Sequence, residues 1–159
     1  MIIEDFVSFK KELAVIVARN LNGDIETFET VEMEFNSDSN QVEFVISPAR
    51  ISKELKRKAK EIAIETTKKI DNIGLLAVEM FLTENDEILI NEIAPRPHNS
   101  GHFSIEACPT SQFEQHLRSI LNLPLGKTSH KNFAVMLNLV GDYGFNGCLL
   151  YTSDAADES

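Results

Sequence analysis

Pro95 and Pro97 stand two residues apart at the end of an apolar run. Neither can donate to a sheet ladder, and each locks φ near about −65°. The segment they interrupt reads Asn91-Glu92-Ile93-Ala94-Pro95-Arg96-Pro97-His98-Asn99-Ser100-Gly101-His102. A strand must therefore finish before Pro95, and a stiff, non-helical loop must follow. That loop carries Arg96, His98, Asn99 and His102, just after the carboxylate of Glu92. A carboxylate at a strand end, followed by cationic and amide groups on a rigid loop, suits joint binding of a metal ion and an oxyanion.

The strand before this loop has a partner. Leu75 to Leu82 and Glu87 to Ile93 read as a hairpin around Thr83-Glu84-Asn85-Asp86. Pairing centred between Asn85 and Asp86 sets Glu79 opposite Glu92, with Cβ atoms ~4.5–5.5 Å apart on one face. Ala77, Phe81, Ile88, Ile90 and Ala94 are expected to share that face, and all are apolar. Two like charges on such a surface destabilise the sheet unless something compensates them. A Mg²⁺ ion held by both carboxylates and by ligand phosphates would do so. So would protonation of one carboxylate, or a register shift that turns one to solvent. Spacing leaves these open.

The loop residues also have two readings. Arg96 offers a planar, permanently charged fork for carboxylate, phosphate or bicarbonate. Asn99 can donate to an oxyanion, and His98 can donate or shuttle a proton near neutral pH. The His98-x-x-x-His102 spacing suits a transition metal on a helix, which Pro97 and Gly101 oppose. The plain alternative is a structural loop whose side chains cap backbone groups.

Elsewhere the pattern is α+β with a mainly antiparallel sheet and packed helices. Met1 to Val7 reads as an opening strand. Leu13 to Arg19 and Ile25 to Val31 form two β-rich runs joined by Asn22-Gly23, a turn whose two positions call for positive φ. Asn36 to Asn40 is a polar loop, and Val42 to Ser47 a strand. Ser52 can cap a helix to Ile70 with apolar positions at helical spacing and Lys53–Lys60 on its solvated face. Ser111 and Glu114 fit a capping box for a helix to Leu121, and Phe133 to Val140 is a last strand before Gly141, Gly144 and Gly147. The chain of 159 residues carries a net charge of −10, which disfavours nucleic-acid or anionic-membrane surfaces while permitting a local basic pocket. Cys108 and Cys148 form no C-x-x-C pair, no apolar run reaches the ~18 residues of a membrane span, and no secretory signal is evident. A reducing cytoplasm is the expected compartment. Residues 148–159 resemble a translated sequencing adapter and are expected to be a non-native tail.

The 91–102 run resembles the ATP-grasp enzymes, specifically the N5-carboxyaminoimidazole ribonucleotide synthases of purine biosynthesis. Glu4-Asp5-Phe6-Val7, with Glu12 five residues on, is similar to that family's adenine hinge and ribose-binding glutamate. Gly74-Leu75-Leu76-Ala77-Val78-Glu79-Met80-Phe81 resembles its first metal-binding strand, and Ser111-Gln112-Phe113-Glu114-Gln115-His116-Leu117-Arg118 the helix after its active-site loop. The resemblance spans residues 1–147. It implies an ATP- and bicarbonate-dependent carboxylation of aminoimidazole ribonucleotide through carboxyphosphate. Glu79 and Glu92 would hold Mg²⁺, and Glu4, Val7, Glu12 and Asn91 would contact ATP. Arg96, His98 and Asn99 would orient bicarbonate. A homodimer is implied for the full-length protein.

Residues 1–126 would be the carboxy-terminal part of the ATP-grasp domain, and 127–147 the beginning of a small carboxy-terminal β-domain. The family's Gly-rich phosphate loop and most of that β-domain have no counterpart here, so the chain is expected to be a fragment and inactive alone. Phe35 stands where the family commonly has a histidine near ATP. Other ATP-grasp ligases, such as biotin carboxylase-like or formate-dependent transformylase enzymes, are the adjacent reading, and a non-catalytic nucleotide-binding module the distant one.

Overall fold

The computed structural model describes residues 5–36, 41–130 and 132–139. A seven-stranded antiparallel sheet organises them, in the order β6-β5-β1-β3-β4-β7 with β2 beside β1. The strands are β1 Phe9–Arg19, β2 Ile25–Thr27, β3 Val31–Phe35, β4 Val42–Ser47, β5 Gly74–Thr83, β6 Ile88–Ala94 and β7 Ala134–Leu137. The helices are α1 Lys53–Lys69, α2 Ser104–Ala107 and α3 Gln112–Ile120. Residues 99–101 add one 3₁₀ turn. No helix among the described residues is long and apolar enough to cross a membrane.

β1 is buried on both faces, which explains its unbroken apolar run Leu13-Ala14-Val15-Ile16-Val17-Ala18. Leu13, Val15 and Val17 join Leu76, Val78, Met80 and Leu82 under α1. Ala14, Ile16 and Ala18 join Leu75, Ala77, Met33 and Phe103 on the opposite face. The period of two thus feeds two cores from one strand. α1 begins where the Ser52 hydroxyl accepts from Leu55 N at 3.2 Å. Its buried positions are Ala59, Ala63 and Thr67, one turn apart and small enough to seat the helix close on the sheet.

Several expected elements differ. Residues 5–8 are not strand, and the described chain enters the sheet only at Phe9. The run 25–31 splits because the segment between β2 and β3 serves other partners: Ala49 N donates to Thr30 O, and Thr30 Oγ1 to Lys56 O. Of the 22–23 turn pair, only Gly23 has positive φ, at 86°. Ser111 caps α3 by accepting from Glu114 N, but Glu114 pairs with Arg118 as well. The last strand is shorter than expected and pairs with β4 at the sheet edge. Glu4, loop positions 37–40, the glycines at 141, 144 and 147 and the tail 148–159 lie outside the described residues.

Candidate active site

β5 and β6 pair with Glu79 opposite Glu92, as expected, although the turn centres on Asn85 rather than between Asn85 and Asp86, with Leu82 opposite Ile88 and Thr83 N donating to Glu87 O. The ladder does not stay regular beyond them. Glu79 faces Glu92 but Met80 faces Ile90, so Asn91 is an extra residue in a bulge. This corrects the expected face. Ile88 lies opposite Leu82 and packs in the core under α1, while Leu89, not Ile90, lies opposite Phe81. The bulge lets a carboxylate and a core isoleucine leave one short strand on the faces each needs.

Glu12 adds a third carboxylate to this face. It lies on β1 opposite Phe81 and Met33, and Ala14, two residues on, lies opposite Glu79. Burial raises the Glu12 carboxyl above its ordinary value. Burial, reinforced by the charges of Glu92 and Glu12, pushes Glu79 up to about 7 against the opposing pull of Arg96.

The loop after β6 closes over these acids. Ligand atoms of Glu79, Glu92 and His98 all lie within 4.8 Å of one another, and His98 Nε2 is 3.5 Å from Glu79 Oε1. His98 Nδ1 accepts from Ser100 N at 3.4 Å and meets Ser100 Oγ at 3.0 Å. The proton of a neutral His98 therefore sits on Nε2, aimed at Glu79. Burial and the Arg96 charge hold its pKa below the usual histidine value. Among the described residues, Arg96 Nη1 donates to its neighbour Pro97 O at 3.2 Å, and the side chain is exposed. Arg96, Asn99 and His102 share a cleft of about 620 Å³ with Phe35, Gln41 and Asn138.

A second cleft, of about 560 Å³, is lined by Val7, Phe9, Phe81, Leu89 and Asn91. Phe9 and Phe81 stack there with centroids 4.4 Å apart. Flat apolar walls beside an amide suit a planar heteroaromatic group. Val7 and Asn91 thus meet in one cleft, Arg96 and Asn99 in another, and Glu79, Glu92 and His98 between strand and loop. Glu12 joins the acids through β1.

Sequence reasoning missed the residue that holds the loop. Gln112, fully buried at the start of α3, accepts from His98 N at 2.9 Å and donates to His98 O at 2.8 Å and to His102 Nδ1 at 3.0 Å. A polar residue in the first turn after a serine cap carries no pattern that distinguishes such a role.

Facing carboxylates at a bulge thus lie under a cationic loop and beside a flat apolar cleft. Residues 1–113 match the family model described as the ATP-grasp domain. The chain belongs to the ATP-grasp family. It is 51% identical over 142 residues to N5-carboxyaminoimidazole ribonucleotide synthase of Bacillus subtilis, covering 89% of this chain and 37% of that protein. The crystal structure of N5-carboxyaminoimidazole ribonucleotide synthetase from Thermotoga maritima superposes with TM-score 0.81 at 53% identity, over 89% of this chain and 37% of that one. That of N5-carboxyaminoimidazole synthase from Aspergillus clavatus, in complex with ADP and 5-aminoimidazole ribonucleotide, superposes with TM-score 0.81 at 41% identity. It covers 87% of this chain and 37% of that one. This ATP-grasp chain thus spans little more than a third of the length of these relatives.

Proposed function

We propose that the protein containing this chain carboxylates 5-aminoimidazole ribonucleotide with ATP and bicarbonate, yielding N5-carboxyaminoimidazole ribonucleotide. The observation that carries this reading is the Glu79–Glu92 pair with His98 held against it and Arg96 beside it. Within the reading, Val7, Asn91 and Glu4 belong to the adenine side and Glu12 to the ribose. Residues 127–147 lead into the next domain. A reducing cytoplasm and a homodimer complete it.

The donor set fits Mg²⁺: two carboxylates face each other, and Glu79 shares its charge poorly with its neighbours. Glu79 and Glu92 would hold the ion, which neutralises phosphate charge when bound. In the reaction, a bicarbonate oxygen bonds to the terminal phosphorus of ATP as the bond to ADP breaks, giving carboxyphosphate. The amine of the ribonucleotide then attacks the carboxyl carbon, and phosphate leaves with a proton lost from nitrogen. Arg96 would clamp the bicarbonate oxygens, Asn99 would donate to them, and neutral His98 would present its Nε2–H beside Glu79. Burial and the Arg96 charge favour the neutral ring, and the 3.5 Å approach to Glu79 fits His98 as an orienting donor.

The test is ADP release by the full-length protein. Release is expected to require both bicarbonate and aminoimidazole ribonucleotide, to fall at least about a hundredfold in Glu92→Ala, and to fall with raised bicarbonate KM in His98→Ala. Release indifferent to both substrates, from folded protein, sinks the reading.

A further inference from the structure

We infer that Gln112 is the positioning residue of the Arg96–His102 loop, setting the placement of His98 and the tautomer of His102. The inference rests on the bicarbonate reading above for its kinetic consequence, but its geometry stands alone. His98 contributes both backbone groups to one side chain: its N–H, which can only donate, meets Gln112 Oε1 at 2.9 Å, and its C=O, which can only accept, meets Gln112 Nε2 at 2.8 Å. That pairing fixes which end of the amide is oxygen. The remaining Nε2 hydrogen points to His102 Nδ1 at 3.0 Å, so that nitrogen accepts and a neutral His102 carries its proton on Nε2.

The backbone that carries this amide is itself anchored. Gln112 N donates to Ser104 Oγ at 2.9 Å, and Ser104 Oγ donates to Gly101 O. A Cβ on residue 101 would lie 2.7 Å from Gln112 Oε1, so glycine is what lets the loop close on the amide. His102 stacks on Phe113, the next residue of α3, at 5.6 Å. Two residues of the loop are thus read by one helix start. Removing this amide takes from the His98 N–H, the His98 C=O and His102 Nδ1 the partner that each has here.

The decisive variants, made in the full-length protein, are Gln112→Glu and Gln112→Met. Glu keeps the shape and the acceptor for His98 N–H, but loses both donations and sets a carboxylate against His98 O and His102. Met keeps the volume and loses all three bonds. Both are expected to raise bicarbonate KM about tenfold or more while ATP KM stays within about twofold. The ¹⁵N resonances of His102 are expected to show Nδ1 without a proton in the wild type, and Nδ1 carrying one in Gln112→Glu. The His102 spectrum does not depend on turnover. An Nδ1–H ring in the wild type overturns the inference. So does a variant with wild-type bicarbonate KM, or one whose substrate constants all shift together with its folded fraction. Wild-type protein that releases no ADP with bicarbonate, yet shows the stated ring, removes the carboxylase reading and leaves the positioning role.

Discussion

Glu32 shows how one residue can hold a sheet face together. It is buried on the face under α1, opposite Leu13, yet carries charge. Burial would raise its pKa, but hydrogen bonds from Arg50 and Lys11 outweigh that and hold it at about 2. Arg50 donates through its backbone N at 2.9 Å as well as its guanidinium, and also reaches Glu34. Glu32→Ala should cost about 1.5 kcal/mol in a urea or thermal melt, because it removes the buried acceptor of hydrogen bonds from two cations that water can still reach. The wild type should lose this contribution as pH falls from about 4.5 toward 2, since the folded state holds the carboxylate ionised below its ordinary value. Glu79 has the opposite sign. Its folded pKa of about 7 means that its ionisation opposes folding as pH rises from about 4.5 through 7. Without added metal, Glu79→Gln should match the wild type in urea midpoint near pH 4.5 and exceed it above pH 7, and a pH-independent difference would contradict the buried-carboxylate account. At Gly101 a methyl group would meet Ile16 Cδ1 at 2.2 Å, so Gly101→Ala should lower stability by about 1–3 kcal/mol. None of these partnerships was legible in sequence, because Glu32 with Arg50 and Gly101 with Gln112 meet only through the fold.

Among elements, the β5–β6 hairpin is the most legible and also the most instructive in its error. The sequence pairing of Glu79 with Glu92 holds, but by two offsets that cancel: the turn centres on Asn85, half a residue earlier than expected, and the bulge at Asn91 restores the register. Neither offset shows in the sequence, because one extra residue leaves the composition of the strand unchanged. Deleting Asn91 would set Glu92 directly after Ile90, so a regular ladder would keep Ile88 opposite Leu82 and Glu92 opposite Glu79. Ile88 stays packed among Leu82 and Met80, where full burial of such a side chain is worth about 1.5–3 kcal/mol. The expected result is a folded full-length variant whose thermal midpoint still responds to Mg²⁺ with ADP; a lost response would contradict this register. α1 followed from its cap and its apolar spacing, both local. The 3₁₀ turn and α2 did not, because their hydrogen bonds run to Ser104 and Gln112 rather than to a periodic pattern.

Across the whole molecule, one sheet separates two cores and carries the acids on the face away from α1. Its outer parts stay apolar. Leu117, Leu121 and Leu123 on and after α3, and Phe133, Val135 and Leu137 at the β7 edge, are exposed. Such patches on a chain that spans about a third of its relatives' length predict self-association of the isolated chain. Light scattering after size exclusion should show oligomers or aggregates, and Leu117→Glu with Leu121→Glu should shift them toward monomer; a wild-type monomer at high micromolar concentration contradicts this. The sequence by itself determined the runs that became β1, β4, β5 and β6, the α1 cap, the meeting of Glu79 with Glu92 and the family, since each rests on residues close in the chain or on an ordered motif. Only the tertiary structure decided which face each side chain takes after the bulge, that Glu12 joins the acids, and that Gln112 grips the loop. Those outcomes depend on contacts between distant segments, where burial and hydrogen-bond satisfaction choose among arrangements that local pattern leaves equal.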